Sequence, residues 1–509
     1  MIVRIAPAGD DGLLVELPSG ISASELHEAA RFGRGLPGVT SCTTGYSSLL
    51  LSFSASIDRN AVAGAFANFV PLPGKATTAS VIHHLALSIH PGDAPDLEEL
   101  LWKSGTTRAQ FVATLAELQL TARFLGFRAG FAYLDGIPSG WEMPRRAATR
   151  SRVPAGSFAI AGTTAAFYPV ESPGGWNLIG RTDAPLWEPG AEQPNRIAIG
   201  DVVMLEPTEE RLSPAVSAKP RAANPKEGPF AEIIRAGSYT AIVPKRELTH
   251  ILSGGTPGGP FHIAAAEAAN LAAGNAAEAT ILECAQVGPA MRIIEDALLA
   301  WSGAEVMIRF NGTEVPVTSR FAAAAGDVLE VGRMKNGFRG YLAVAGGYAN
   351  DAWPELTANT LDRGALLSRG NDRRDANPRW RPVPQVTSDE VTVVAGPHQV
   401  SDALLEWIAS RDWKVTPNSN RVAVRFHCGD SSSFAIPGEL RSCGMTFGTV
   451  QLHPSGEIVA MGPDHPVTGG YLQVMTVIAA DRWKLGQLAP GDSIRWKVRR
   501  EERGIVADF

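Results

Sequence analysis

The sequence predicts a mainly β protein with α+β character, and three observations carry that expectation. Short apolar runs alternate with Gly and Pro turns over most of the 509 residues. Helical periodicity is confined to a few segments, chiefly near 96–118, 263–273 and 401–411. A glycine-aromatic stretch, "ESPGGWNLIGRT" at 171–182, returns near the other end as "HPVTGGYLQVMT" at 465–476, as a duplicated β unit would.

The length exceeds one ordinary core and predicts several domains. A hydrophobic content of 45%, a charged content of 19% and a net charge of −6 fit a folded chain with no nucleic-acid partner. The opening residues lack the basic start and unbroken apolar core of a signal peptide, and no stretch is apolar for long enough to span a bilayer; a cytoplasmic protein without a membrane partner is expected. Cys42, Cys284, Cys428 and Cys443 are scattered without metal-ligand spacing, so no metal and no disulfide framework is expected.

Taken in order, residues 1–78 read as a small α/β domain with a turn at Gly9-Asp10. "SVIHHLALSIH" reads as a strand whose His83 and His84 point to opposite faces and cannot chelate one ion together. Asp96 with Glu99, and Thr107 with Gln110, have the spacing of capping boxes opening two helices. From Arg145 to Pro207 the helical signal gives way to a compact β unit, closing the segment 79–207. Residues 208–228 are rich in proline and poor in large apolar side chains, which makes them a linker. An Ala-rich helix is predicted from Ile263 to Ala273 with Gly274 as its stop. A polar stretch near 369–390 divides the second half into 229–380 and 381–509, the latter read as β with one helix.

The two landmarks align outward. Each Gly-Gly-aromatic core is followed by a Gly-Asp turn into a last strand, Gly200-Asp201 in one copy and Gly491-Asp492 in the other. Paired glycines permit positive φ or close backbone approach, and the aromatic anchors the next strand. A third unit around Gly326 has its Gly-Gly pair after the turn instead of before it.

These residues resemble a known family. "FLGFRAGFAYLDGIP" and "PRRAATRSRVPAGSFAIAGTTAAFYPVESPGGWNLIGRT" are similar to the family of the 5-oxoprolinase B subunit (KipI, allophanate hydrolase subunit 1). "AANLAAGN", "YLAVAGGY", "VTPNSNRVAVRF" and "DHPVTGGY" resemble the family of the 5-oxoprolinase C subunit (KipA, allophanate hydrolase subunit 2), whose modules also form the carboxyltransferase of urea carboxylase. The resemblance implies cyclophilin-like β-barrels, one after the α/β domain and two in the second half. It implies a component of an ATP-dependent lactam hydrolase that converts 5-oxoproline to glutamate with a separate protein like the 5-oxoprolinase A subunit, the substrate lying in a groove shared by the halves. Two alternatives stand beside it: a biotin-dependent carboxyltransferase component acting on urea or a related amide, and a KipI-like kinase inhibitor without catalysis. Where the KipA-type family carries a Gln-Asp pair and a later Asp, this chain reads "YTAIVPKRELTHILSGGTPGGPFH", with His262 at the position of that Asp.

No GxxxxGK[ST], HExxH or GxSxG motif occurs, so ATP is expected on a partner protein, and any biotin on a separate carrier. No cofactor is expected on this chain itself; a homo-oligomer is possible. The arginines 145, 146, 150 and 152 suit a carboxylate-bearing substrate, Arg152 and Glu171 being best placed, with Trp176 beside the glycine turn. In the second half Asn418, Arg421, Asp464 and Tyr471 lie in the family motifs. Asp464 fits a base or amide acceptor and fits equally a turn former. His262 fits either a group polarising a carbonyl or an exposed residue at a helix start.

Overall fold

The computed structural model describes residues 4–53, 59–69, 80–188, 191, 193–213, 228–315, 320–350, 358–372, 383, 389–429, 434–438 and 440–499. Most of the linker expected at 208–228 and most of the polar stretch near 369–390 lie outside the described residues.

The fold is mostly strand, with two closed seven-stranded barrels. Ahead of the first barrel, strands Arg4–Pro7, Gly12–Glu16, Ser48–Phe53 and Val39–Thr44 pair in that order beneath helices Ala23–Arg34 and Arg59–Ala67. The first barrel's strands are, along the chain, Ile82–Ser88, Gln119–Leu125, Ala132–Asp135, Ser157–Ala161, Thr164–Phe167, Asn177–Arg181 and Val202–Thr208. Those of the second are Glu390–Ala395, Trp413–Val415, Ala423–His427, Thr449–Leu452, Ile458–Met461, Leu472–Val477 and Ser493–Val498. Around each barrel they follow one order: first, sixth, fourth, fifth, third, second, seventh and back to the first. In both, the first and seventh strands run parallel. The sequence repeat is therefore a repeat of topology.

The glycine pairs and the Gly-Asp turns keep their roles in both copies. The glycine pairs end two-stranded ribbons, Arg150–Val153 with Ser172–Gly174 and Cys443–Gly444 with Thr468–Gly469, before the chain enters the sixth strand. Positive φ is not what they supply, because none of the four glycines adopts it. Close approach is: a side chain on Gly174 would strike the Tyr168 hydroxyl, and one on Gly469 would lie 2.7 Å from Met445 Sδ. The Gly-Asp turns do use the left-handed region, with φ of 91° at Gly200 and 99° at Gly491. The aspartate then accepts the N–H three residues back, Ala198 to Asp201 at 2.9 Å and Ala489 to Asp492 at 2.7 Å. Asp327 accepts the Ala324 N–H at 2.8 Å in the same way, so this turn alone does not mark a barrel.

The structure corrects several expectations. The β unit read from Arg145 begins earlier, since three barrel strands precede that residue. Between the barrels, the described residues form two six-stranded sheets where a third barrel was expected. The last unit has two helices, Asp402–Ala409 and Arg482–Gln487. The capping box of Thr107 and Gln110 forms, but Asp96 makes no side-chain cap bond. Its carboxylate is drawn instead to Arg146, Arg150 and the Leu178 N–H at 2.7–2.8 Å, because two guanidinium donors outcompete a lone helical amide.

The Ala-rich helix Ile263–Ala273 forms and ends at Gly274 with φ 84°. Just before it, Phe261 inserts into the core of the second barrel, edge-on to Phe447 at 5.5 Å. Gly462 and Gly486 line its berth, where side chains would crowd the ring. This plug fixes the middle unit against the barrel and brings the following site together.

Candidate functional site

Arg421 stands at the centre of a buried ion network. Its Nε and Nη2 donate to the two oxygens of Asp464 at 2.8 and 2.7 Å, Nη1 to Glu283 Oε1 at 2.8 Å, and Nη2 also to the Gly259 carbonyl at 2.7 Å. Glu283 accepts further bonds from the Phe261 N–H and the Tyr341 hydroxyl, and Arg339 lies 3.4 Å from it. Two guanidinium groups thus face two carboxylates. Burial would push the Glu283 carboxyl up, but Arg421 and Arg339 outweigh it and hold it below its ordinary value. Burial likewise opposes the charge on Arg421, yet Asp464 and Glu283 raise its affinity for the proton well above normal.

His262 borders this network and is 2% exposed, which overturns the expectation of an exposed residue at the helix start. Its ring stacks on Trp483 at 4.6 Å, and its backbone N–H donates to the Tyr341 hydroxyl. Gln487 fixes the tautomer. Gln487 Oε1 accepts the N–H groups of Phe338 and Arg339, so its Nε2 is the donor to His262 Nδ1 at 3.1 Å. Nε2 of His262 then carries hydrogen, and it is buried without a partner among the described residues. Burial lowers this imidazole to about 4, which keeps it neutral.

A second polar cluster sits where the N-terminal domain meets the second barrel. Arg482 grips Asp11 through two bonds of 2.6 Å. The charges of both Arg482 and Arg246 act on His465, which burial already lowers to about 3. His465 Nδ1 lies 2.9 Å from the Pro466 carbonyl and must donate, leaving Nε2 a bare acceptor. That Nε2 and Arg246 Nε are both buried without partners among the described residues, and burial lowers Arg246 to about 10. A side chain on Gly259 would come within 2.9 Å of the Arg246 backbone nitrogen, and the Gly258 N–H donates to the Pro463 carbonyl at 3.1 Å. The Gly258-Gly259 pair therefore seats this segment, with φ of 61° and 88°.

The other predicted residues lie elsewhere. Arg152 pairs with Glu171 at 2.6 Å on the first barrel, both well exposed. Trp176 is buried among Phe131, Tyr133 and Tyr168. Asn418 is exposed, and Tyr471 stacks on His453 at 4.0 Å. Arg421, Asp464 and His262 are thus brought together, and Arg152 with Glu171 form a separate pair; no contact joins the two sets among the described residues. Sequence reasoning missed Glu283, Tyr341, Arg246 and His465. Glu283 had left a signal, a lone carboxylate inside the apolar strand "ILECA". Among the described residues no group of His, Cys, Asp and Glu is arranged to hold a metal, and no helix is long and apolar enough to cross a membrane.

Two barrels of one topology, each with its ribbon and joined through buried polar contacts, are the arrangement of a chain that matches the carboxyltransferase domain along most of its length. Subdomains C and D of the carboxyltransferase domain match residues 3–197, and subdomains A and B match residues 253–498. The chain belongs to this family, as a fusion of parts related to the B and C subunits of 5-oxoprolinase. It is 39% identical over 116 residues to the 5-oxoprolinase B subunit of Escherichia coli O157:H7, covering 23% of this chain and 53% of that protein. It is 28% identical over 281 residues to the 5-oxoprolinase C subunit of Escherichia coli K12, covering 52% of this chain and 90% of that one. A "Putative urea carboxylase" of Emericella nidulans is 26% identical over 307 residues, which span 54% of this chain but 25% of that protein. The chain thus spans about half the length of the B-type relative and a quarter of the urea carboxylase. The crystal structure of TTHA0988 superposes with a TM-score of 0.82 at 26% identity, over 96% of this chain and 99% of that one.

Proposed function

We propose that this protein is the fused B and C component of an ATP-dependent, 5-oxoprolinase-type amide hydrolase, opening the lactam of 5-oxoproline to glutamate with a separate A-type partner that handles ATP. The observation that carries the reading is the junction cluster. Arg246 Nε offers one buried hydrogen-bond donor and His465 Nε2 one buried acceptor, both unused among the described residues. An amide or lactam presents the complementary pair, a carbonyl oxygen and an N–H. Unpaired polar atoms at this depth are costly, so a ligand that satisfies them gains what folding left unmet. Reaching them requires the segment held by the Gly258 bond to Pro463 to shift.

In this reading Asp464, held by Arg421 and next in sequence to His465, serves as the base beside that amide, and His262 Nε2–H is a second donor that polarises the same carbonyl oxygen. Glu171 and Arg152 act on the first barrel, with Asn418 and Tyr471 as further contacts. Purified chain mixed with A-type candidates should release glutamate from 5-oxoproline in an ATP-dependent manner, and Asp464→Ala should abolish it. No release with any cognate partner would sink the reading.

The carboxyltransferase domain matched across both halves favours a second reading. There the junction takes a urea-like amide, and biotin arrives on a separate carrier protein. Carboxyl transfer from such a carrier to urea, without ATP-dependent glutamate release, would select it.

A further inference from the structure

The first barrel carries a cleft beside the Arg152–Glu171 pair, whose ligand the proposed function leaves unspecified. It has a volume of about 200 Å³ and is lined by Asp93, Arg150, Arg152, Ser157 and Arg181, with Gly92, Pro95, Pro154 and Leu178 completing the wall. Every lining residue belongs to the first barrel unit, so the cleft is apart from the Arg421 network and the Asp11–Arg482 junction. Three arginines against one aspartate give the wall a positive excess.

The arginines differ in how firmly they are held. Arg181 is 7% exposed; its Nη2 donates to the Leu212 carbonyl and lies 3.0 Å from Asp93, which also accepts from the Ser88 hydroxyl. Its Nε–H has no partner among the described residues. Arg150 is tied to Asp96 at 2.7 Å and to the Trp176 carbonyl at 3.3 Å. These bonds are buried or half-buried and position the two guanidinium groups. Arg152 is different: its side chain is 76% exposed, and its partner Glu171 is 50% exposed. Such a surface pair contributes little net stability, so Glu171 yields readily to a competing anion.

We infer that this cleft binds the oxyanion head, phosphate or carboxylate, of a small metabolite, with Arg152 as the exchangeable clamp and Glu171 as the group that occupies it in the unliganded protein. Planar guanidinium groups pair oxyanions through two parallel donors, which a fixed Arg150 and Arg181 offer from below while Arg152 closes from the solvent side. The volume is well under that of a drug-sized pocket, and suits an anion of few heavy atoms. Asp93 and Asp96 do not compete, because each is already saturated by arginine and local donors.

The inference does not depend on the reaction proposed above, and its test is binding alone. Calorimetric titration of the full chain in low-chloride buffer uses inorganic phosphate in one arm and succinate in the other. Saturable binding of at least one is expected; which arm binds tells the phosphate head from the carboxylate. Arg152→Ala, at an exposed position that the fold does not need, should weaken that binding by roughly tenfold or more. Glu171→Gln should strengthen it, since the competing carboxylate is gone while the shape remains. A protein that binds neither probe, or whose affinity is the same in wild type, Arg152→Ala and Glu171→Gln, would overturn the assignment.

Discussion

Arg421 holds Asp464 by two parallel hydrogen bonds of 2.8 and 2.7 Å while its third nitrogen donates to Glu283, so one guanidinium joins the second barrel to the strand Ile281–Ala285 of the middle unit. Arg421 is 5% exposed, and its charge is balanced only while both carboxylates remain. Asp464→Ala should therefore cost about 3–5 kcal/mol, the usual consequence of leaving one member of a buried pair uncompensated. Urea unfolding at neutral pH measures it. A paired Arg421→Met, Asp464→Leu variant should recover part of the loss, because one buried charge pair goes and Glu283 keeps Arg339 at 3.4 Å as its counterion. A cost below ~1 kcal/mol for the single change would mean that Arg421 finds water or another anion.

Acid should destabilise the protein through its buried imidazoles. His465 stands at about 3 in the folded state and near the ordinary value of 6.5 when unfolded. The unfolded chain therefore takes up this proton first as pH falls. The stability tied to His465 is complete above pH 6.5 and is lost as pH drops toward 3; His262 and His453, each at about 4, act in the same direction. Each such proton contributes a slope of about 1.4 kcal/mol per pH unit below the unfolded value. His465→Gln should flatten the dependence of unfolding free energy between pH 6 and 4.5 by about that amount. Equal slopes in wild type and variant would show that His465 is not buried neutral.

Local chemistry was legible in the sequence, and long-range chemistry was not. Thr107 and Gln110 could be read as a cap because both partners lie within one turn. The Gly-Asp turns could be read because the aspartate bonds only three residues back. Ordering those turns with the Gly-Gly-aromatic cores exposed the duplication, which the shared strand order bears out. Asp96 had the same cap signal as Thr107 but was diverted by arginines 50 and 54 residues away. Of the two readings of His262, the exposed one fails because its surroundings, Trp483 and Gln487, come from the far end of the chain, 225 residues on in the case of Gln487. Glu283 and Arg421, 138 residues apart, each look odd alone and make sense only as a pair. Motif matching found Asp464 and Arg421; it passed over His465, one residue further, because nothing local distinguishes a turn histidine from a buried one.

The docking of the two halves hangs on a backbone contact that a single methyl group should break. Gly126, in the stretch "FLGFRAGF", faces Thr468 of the second barrel's ribbon, and the neighbouring Phe127 N–H donates to the Thr468 hydroxyl at 3.2 Å. On another side the chain passes Gly254, where a side chain would come within 2.9 Å of the Gly126 nitrogen and 3.0 Å of the Arg128 carbonyl. Residues 126–128 are thus held between two parts of the second half. A Cβ on Gly126 would collide with the Thr468 side chain, whose Cγ2 would be 2.9 Å away and whose Cβ 3.1 Å. Gly126 does not have positive φ, so alanine there meets a steric cost without backbone strain. Gly126→Ala should lower stability by about 1–3 kcal/mol, the range for overpacking a tight contact. In scanning calorimetry the effect should appear as an early, partly separate transition as the halves part before either melts. Gly20→Ala, which meets nothing within 4 Å, serves as the control and should leave the melting curve in place. Adding Thr468→Ala to Gly126→Ala removes the colliding Oγ1 and Cγ2 and should restore part of the lost stability. Without that rescue, the loss would have to come from Gly126's own strand end and not from the contact between halves.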